Sequence, residues 1–97
     1  LIHGDLWSGN LLIDTSGHPV LIDPAVYYGH PEMDWAMLSL FGSYPVEALD
    51  HYQNLHPLET GLNERKDIHQ LYPLMVHLIL FGKGYLNGAE STLKKYA

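Results

Sequence analysis

The sequence predicts an α+β fold that is mostly helical, with one β-hairpin followed by about four helices. Three observations predict it. Two short apolar runs, Leu11-Leu12-Ile13 and Val20-Leu21-Ile22, flank the turn-forming stretch Thr15-Ser16-Gly17-His18. Apolar residues beyond Pro31 then recur at the helical period rather than alternating. Proline and glycine punctuate the boundaries between these periodic segments.

Leu1-Ile2 reads as strand-like and leads into a polar loop, residues 3 to 10, that carries two glycines. The hairpin spans residues 11 to 23, with Gly17 able to take positive φ in the turn and Pro24 ending the returning strand. A turn symmetric about Ser16 and Gly17 places Asn10 opposite Asp23, about 5 Å apart; a bulge in the turn slips that register by one. Pro31 suits a first helical position, and Glu32 sits where the helix dipole favours an anion. Met33, Ala36, Met37, Leu40 and Phe41 form one apolar stripe, and Gly42 stops this helix. Pro45 opens a second helix with Val46, Leu49 and Tyr52 inward, ending before Pro57. Asn63 caps a third that runs to about Phe81, with Ile68, Leu71, Tyr72, Met75, Leu78 and Ile79 as its core stripe and a kink at Pro73. Asn87 and Glu90 form a capping box for a last short helix, whose end carries a solvated Lys94 and Lys95.

Composition bounds the function. The 97 residues suit one small domain, and 46% apolar content excludes global disorder. No run approaches a membrane span. With no cysteine, disulfides and thiolate metal sites are excluded. A net charge of −6 argues against a nucleic-acid partner. Residues 1 to 64 hold nine carboxylates and no Lys or Arg, a half suited to a metal cation and unsuited to a bare anion. The chain opens at Leu1 inside an apolar dipeptide, which reads as a partial chain. No secretory signal is visible, which in a partial chain says little about location; the expected compartment is the cytoplasm.

The residues that carry chemistry lie in the first quarter. Phosphoryl transfer needs a carboxylate to orient the attacking hydroxyl and take its proton, oxygen ligands for Mg²⁺, and cations on the phosphates. His3, Asp5 and Asn10 fit H-x-D-x-x-x-x-N, in which Asp is the base and Asn a metal ligand, and Asp23 follows one hairpin later as the second ligand. Only ten residues separate Asp23 from Asp34. That is too few for a long peptide-docking segment, so a small substrate is expected. With no Lys or Arg before Arg65, the phosphate-binding cation is expected from a lobe outside this chain.

The strings His3-Gly4-Asp5-Leu6-Trp7-Ser8-Gly9-Asn10 and Asp23-Pro24-Ala25-Val26-Tyr27-Tyr28-Gly29 resemble the fructosamine (ketosamine) kinase family. That family lies in the aminoglycoside phosphotransferase group of the protein-kinase-like fold. The likeness continues through Glu32-Met33-Asp34, Leu40-Phe41-Gly42, Tyr72-Pro73-Leu74 and Phe81-Gly82-Lys83-Gly84-Tyr85. It implies a carboxy-terminal kinase lobe: a catalytic loop at 3–10, a metal-binding hairpin at 11–23, a helical subdomain at 31–97, and no amino-terminal lobe. It implies Asp5 as catalytic base, Asn10 and Asp23 as holders of Mg²⁺ and ATP, and Asp34 as an acid steadying the loop from the following helix. The implied reaction is ATP-dependent phosphorylation of a ketosamine or glycated amine, commonly at the 3-hydroxyl, with neither nucleic acid nor membrane involved. The chain without its other lobe is expected to be inactive. Val76 and Ile79 depart from the pattern, being apolar where polar residues are expected in some relatives. A kinase of the aminoglycoside or choline type, or a binding-only relative, is the alternative.

Structural roles compete with these. His3 reads as a hydrogen-bonder supporting the loop, since Asp5 already fills the base role. Trp7 either anchors the core or walls the substrate pocket, where its face suits a sugar or a nearby amine cation. Glu32 and Asp34, two apart on a helix, do not face each other, so Asp34 is expected to be structural and Glu32 solvated. Tyr27 and Tyr28 either border the substrate or pack the loop, and packing is the expected role. The seven histidines show no H-E-x-x-H, and His69 and His77 are eight apart, which disfavours zinc.

Overall fold

The computed structural model describes residues 1–42 and 44–97. A short 3-10 turn, Ser8–Asn10, leads into β1 (Leu11–Ile13), which pairs antiparallel with β2 (Pro19–Leu21). Helices α1 (Glu32–Leu40), α2 (Val46–Leu55), α3 (Leu62–Phe81) and α4 (Leu86–Tyr96) follow, with a 3-10 turn at Lys83–Tyr85. The architecture is the mostly helical α+β class that the sequence predicts. Among the described residues no helix is long and apolar enough to cross a membrane.

The hairpin register differs from expectation by one residue. Leu11 pairs Leu21 and Ile13 pairs Pro19, so Asn10 faces Ile22, whose N–H donates to the Asn10 carbonyl at 3.0 Å. The reason lies in the turn. Asp14 Oδ1 accepts the N–H groups of Ser16 and His18, both at 2.8 Å, and Gly17 takes φ +84°. A three-residue loop with its last residue left-handed is the bulged hairpin connection, which moves the symmetry centre onto Ser16. Asp23 therefore falls just beyond the ladder, and its own φ is +50°.

The core is small: Ile2, Ala36, Met37, Leu38, Leu74 and Ala89. It lies where α1 and α4 meet α3, and Gly88 lets α4 approach Leu74 closely, since a Cβ there would stand 3.3 Å from that side chain. Helix α2 buries no residue; its Tyr52, and Tyr44 just before it, pack edge-on with Trp35, with ring centroids at 5.3 and 5.0 Å.

Several expectations about faces and caps are corrected. On α1, Glu32 and Leu38 are buried while Met33, Leu40 and Phe41 are half-buried. On α3 the inward residues are Pro73 and Leu74, whereas Ile68, Tyr72, Met75 and Ile79 form an exposed apolar stripe. Periodicity identifies a stripe but not which side of a helix meets its neighbours. Val46 is exposed rather than inward. Gly61, at φ +94°, precedes α3 in the cap position expected of Asn63, and Asn87 lies inside α4, so neither asparagine caps a helix. Lys95 is not merely solvated: its ammonium donates to Asp67 on α3 at 2.7 Å, which raises the lysine's pKa.

Candidate active site

The loop of residues 3 to 10 is held by the fold at both edges. On one side, Ala25 N–H donates to the His3 carbonyl at 2.9 Å and Ile2 N–H to the Tyr27 carbonyl at 3.0 Å. On the other, Asp34 on α1 accepts the N–H groups of His3 (Oδ2, 2.8 Å) and Gly4 (Oδ1, 3.0 Å). Gly4 has φ +86°, and a Cβ there would lie 2.0 Å from the Ala25 carbonyl oxygen. Only glycine permits so close an approach of two backbone segments.

His3 spans the loop. Its Nδ1 accepts the Asp5 N–H at 3.2 Å, so the ring proton sits on Nε2, which donates to the Ile22 carbonyl at 2.9 Å. One imidazole thus ties the start of the loop to the residue before Asp23. Asn10, 6% exposed, turns its amide back onto the loop, with Nδ2 donating to the Asp5 carbonyl at 2.9 Å and to Asp5 Oδ2 at 3.2 Å. Among the described residues, Asn10 Oδ1 and Asp5 Oδ1 have no hydrogen-bond partner. Asp5 and Asn10 are therefore brought together directly. Asp23, exposed, joins them only through the backbone of Ile22.

Asp5 lines a cavity of about 190 Å³ with Gly4, Tyr27, Met33, Val76 and His77 among its walls. Burial, the nearby Asp34 carboxylate and Tyr72 push the Tyr27 phenol above its ordinary pKa, so it faces the cavity as a neutral hydroxyl. Tyr28 is 88% exposed and lies outside this cavity. Ile79 likewise stays outside it, while Val76 forms part of its wall. Trp7 is half-exposed, covers Gly9, and meets the Phe41 ring edge-on at 6.5 Å; it borders a neighbouring cavity rather than that of Asp5. A larger cavity, about 640 Å³, is an apolar groove between the hairpin and α1–α2. Of its lining, His3 and Asp34 are engaged in holding the loop.

Glu32 was expected in solvent and is 1% exposed. Arg65 on α3 grips it with two bonds, Nε to Oε2 at 3.0 Å and Nη2 to Oε1, and His69 Nε2 lies 3.0 Å from Oε2. The Arg65 hydrogen bonds outweigh burial and hold this carboxyl below the ordinary carboxylate range; Glu32 in turn raises the arginine. Arg65 also ties down the carbonyls of Glu59 and Thr60. His30 stacks on His69 at 5.0 Å, which makes His30, Glu32 and His69 a cluster of metal-ligating type. The guanidinium already neutralises its carboxylate, so the cluster reads as a buried ion pair joining α1 to α3. Sequence spacing missed it because Glu32 and Arg65 are 33 positions apart.

The chain was also compared with known proteins in sequence and in fold. The fructosamine kinase family model matches residues 1–97. A probable ketoamine kinase of Enterococcus faecium is 50% identical over 96 residues, covering 99% of this chain and 35% of that protein. A chloroplastic protein-ribulosamine 3-kinase of Oryza sativa subsp. japonica is 43% identical, covering 99% of this chain and 28% of the relative. A crystal structure assigned to fructosamine-3-kinase from Thermobifida fusca superposes with a TM-score of 0.82 at 45% identity, over 96% of this chain and 34% of that one. The chain thus spans about a third of the length of these relatives. Matched along its whole length by the family model, it belongs to the fructosamine kinase family.

Proposed function

We propose that the protein containing this chain transfers the γ-phosphoryl group of ATP to a hydroxyl of a ketosamine, the 3-hydroxyl in the first instance. The observation that carries this reading is Asp5. It is a carboxylate at the wall of a small cavity, hydrogen-bonded to Asn10 on a loop clamped by Asp34. In the proposed step the substrate oxygen bonds to the γ-phosphorus as the bond to the ADP oxygen breaks, and Asp5 receives the hydroxyl proton. Asn10 holds Asp5 in place through its amide nitrogen, which leaves its Oδ1 available. The oxygens of Asn10 and Asp23 are hard donors suited to Mg²⁺, which would neutralise phosphate charge there when bound. The first basic residue, Arg65, is engaged by Glu32. The cation that holds the phosphates is therefore proposed to come from a further lobe of the protein.

The names of the relatives support the acceptor class: ketoamine kinases and protein-ribulosamine 3-kinases. The test is turnover by the complete gene product with ATP and Mg²⁺, comparing a fructosylated amine with choline and kanamycin, with the product located by ³¹P–¹H NMR. Phosphorylation confined to the ketosamine, lost by at least about a hundredfold in Asp5→Asn, is the expected result. Preference for choline or kanamycin overturns the acceptor assignment. Nucleotide binding with no transfer to any of them overturns the enzymatic reading.

A further inference from the structure

A second cavity of about 260 Å³ adjoins the one at Asp5, and its five lining residues, Trp7, Phe41, His77, Phe81 and Tyr85, all carry rings. They come from three pieces of chain: the Asp5 loop, the end of α1, and the end of α3 with the turn that follows it. The rings form a connected set. Phe41 and His77 have centroids 4.7 Å apart, His77 and Tyr85 5.3 Å, His77 and Phe81 5.4 Å. None of the five is an acid, lysine or arginine. His77 lines this cavity and the Asp5 cavity alike, and Trp7 is two residues from Asp5. The His77 Nδ1 lies 2.7 Å from the Pro73 carbonyl oxygen, which can only accept, so in the neutral ring the proton is on Nδ1 and Nε2 is the acceptor.

We infer that this aromatic cavity is the subsite for the amine substituent of the acceptor, and that it selects flat, uncharged, aromatic substituents over anionic ones. The inference rests on the ketosamine reading above. In a ketosamine phosphorylated at the 3-hydroxyl the nitrogen sits on the first carbon, so the sugar head and the substituent must occupy adjoining spaces. The two cavities joined at His77 are adjoining spaces. The nitrogen, a secondary ammonium, can donate to His77 Nε2 and lie against ring faces. An aromatic substituent beyond it gains edge and face contacts with Phe41, Phe81 and Tyr85. A carboxylate in the same place loses water, meets the negative faces of the rings and finds no cation among the lining residues.

The test uses the complete gene product and one ketose joined in turn to benzylamine, n-butylamine and glycine. The kcat/KM for the benzylamine adduct is expected to exceed that for the glycine adduct by at least about tenfold, with the difference carried mainly by KM. Phe81→Ala and Tyr85→Leu should each compress that ratio by about fivefold to tenfold. Phe81 is 68% exposed, so its truncation leaves the core intact, and circular dichroism checks this. A ratio unmoved by both variants, or a native preference for the glycine adduct, overturns the subsite while leaving ketosamine phosphorylation standing. Failure to phosphorylate any of the three adducts overturns both.

Discussion

Asp34 holds Gly4 by its backbone: the carboxylate on α1 accepts the Gly4 N–H at 3.0 Å, and its other oxygen takes the neighbouring N–H of His3 at 2.8 Å. A helix residue thus sets the position of the loop whose next residue is Asp5. Asp34→Ala removes both acceptors and leaves two part-buried N–H groups without a partner, which costs about 2 to 3 kcal/mol. We expect lower thermal stability and, in the complete gene product, kcat reduced by about a hundredfold with KM changed far less. Asp34→Asn, which keeps one acceptor oxygen, should fall between. Equal kinetics in Asp34→Ala and the parent protein would show that the loop keeps its geometry without the helix.

Gly4 and Gly17 both have positive φ, at +86° and +84°, yet their substitutions should differ. A Cβ on Gly4 meets the Ala25 carbonyl oxygen at 2.0 Å, whereas one on Gly17 meets nothing within 4 Å. Gly17→Ala should therefore cost only the left-handed backbone penalty, about 1 kcal/mol. Gly4→Ala adds a backbone collision and should cost at least about 3 kcal/mol or prevent folding. Urea denaturation of both variants separates the two contributions.

The Glu32–Arg65 pair makes a prediction in pH. The folded-state pKa of Glu32 lies below the ordinary carboxylate value. As pH falls through about 4 to 5, the unfolded chain takes up this proton before the folded chain does, so stability from Glu32 is complete above that range. It is then lost progressively as pH drops toward the folded pKa. Melting curves between about pH 3 and 6 should show a shallower pH slope in Glu32→Gln than in the parent protein. At neutral pH the same variant should be less stable by about 3 kcal/mol, because a buried two-bonded carboxylate has been replaced.

Asp23 is the only described non-glycine residue with positive φ, at +50°. Aspartate tolerates that region but does not favour it. Asp23→Gly should therefore leave stability within about 1 kcal/mol of the parent or raise it. If the Asp23 carboxylate holds the metal as proposed, the same variant should lose at least about a hundredfold in Mg²⁺-dependent turnover. A backbone gain paired with a functional loss is the pattern expected of strain kept at a working site. A variant that is destabilised yet fully active would refute the assignment.

Much of this protein is legible from local sequence. The hairpin and helices appear where their periodicity and their Pro and Gly boundaries put them, because those signals act over a few residues. The loop's arrangement is equally local: His3, Asp5 and Asn10 lie within eight positions, and their mutual hydrogen bonds need no distant partner. The hairpin register was missed by one residue. The deciding bonds, from Asp14 to Ser16 and His18, concern turn geometry that composition alone leaves open between two forms.

Only the tertiary structure decided which helix faces are covered, that Glu32 is buried against Arg65, and that Trp7 stands with Phe41, His77, Phe81 and Tyr85 around one cavity. Spacing tells which side chains share a face of one element. Which face is covered, and which charge meets which, depends on elements far apart in the chain, and no local pattern encodes that meeting.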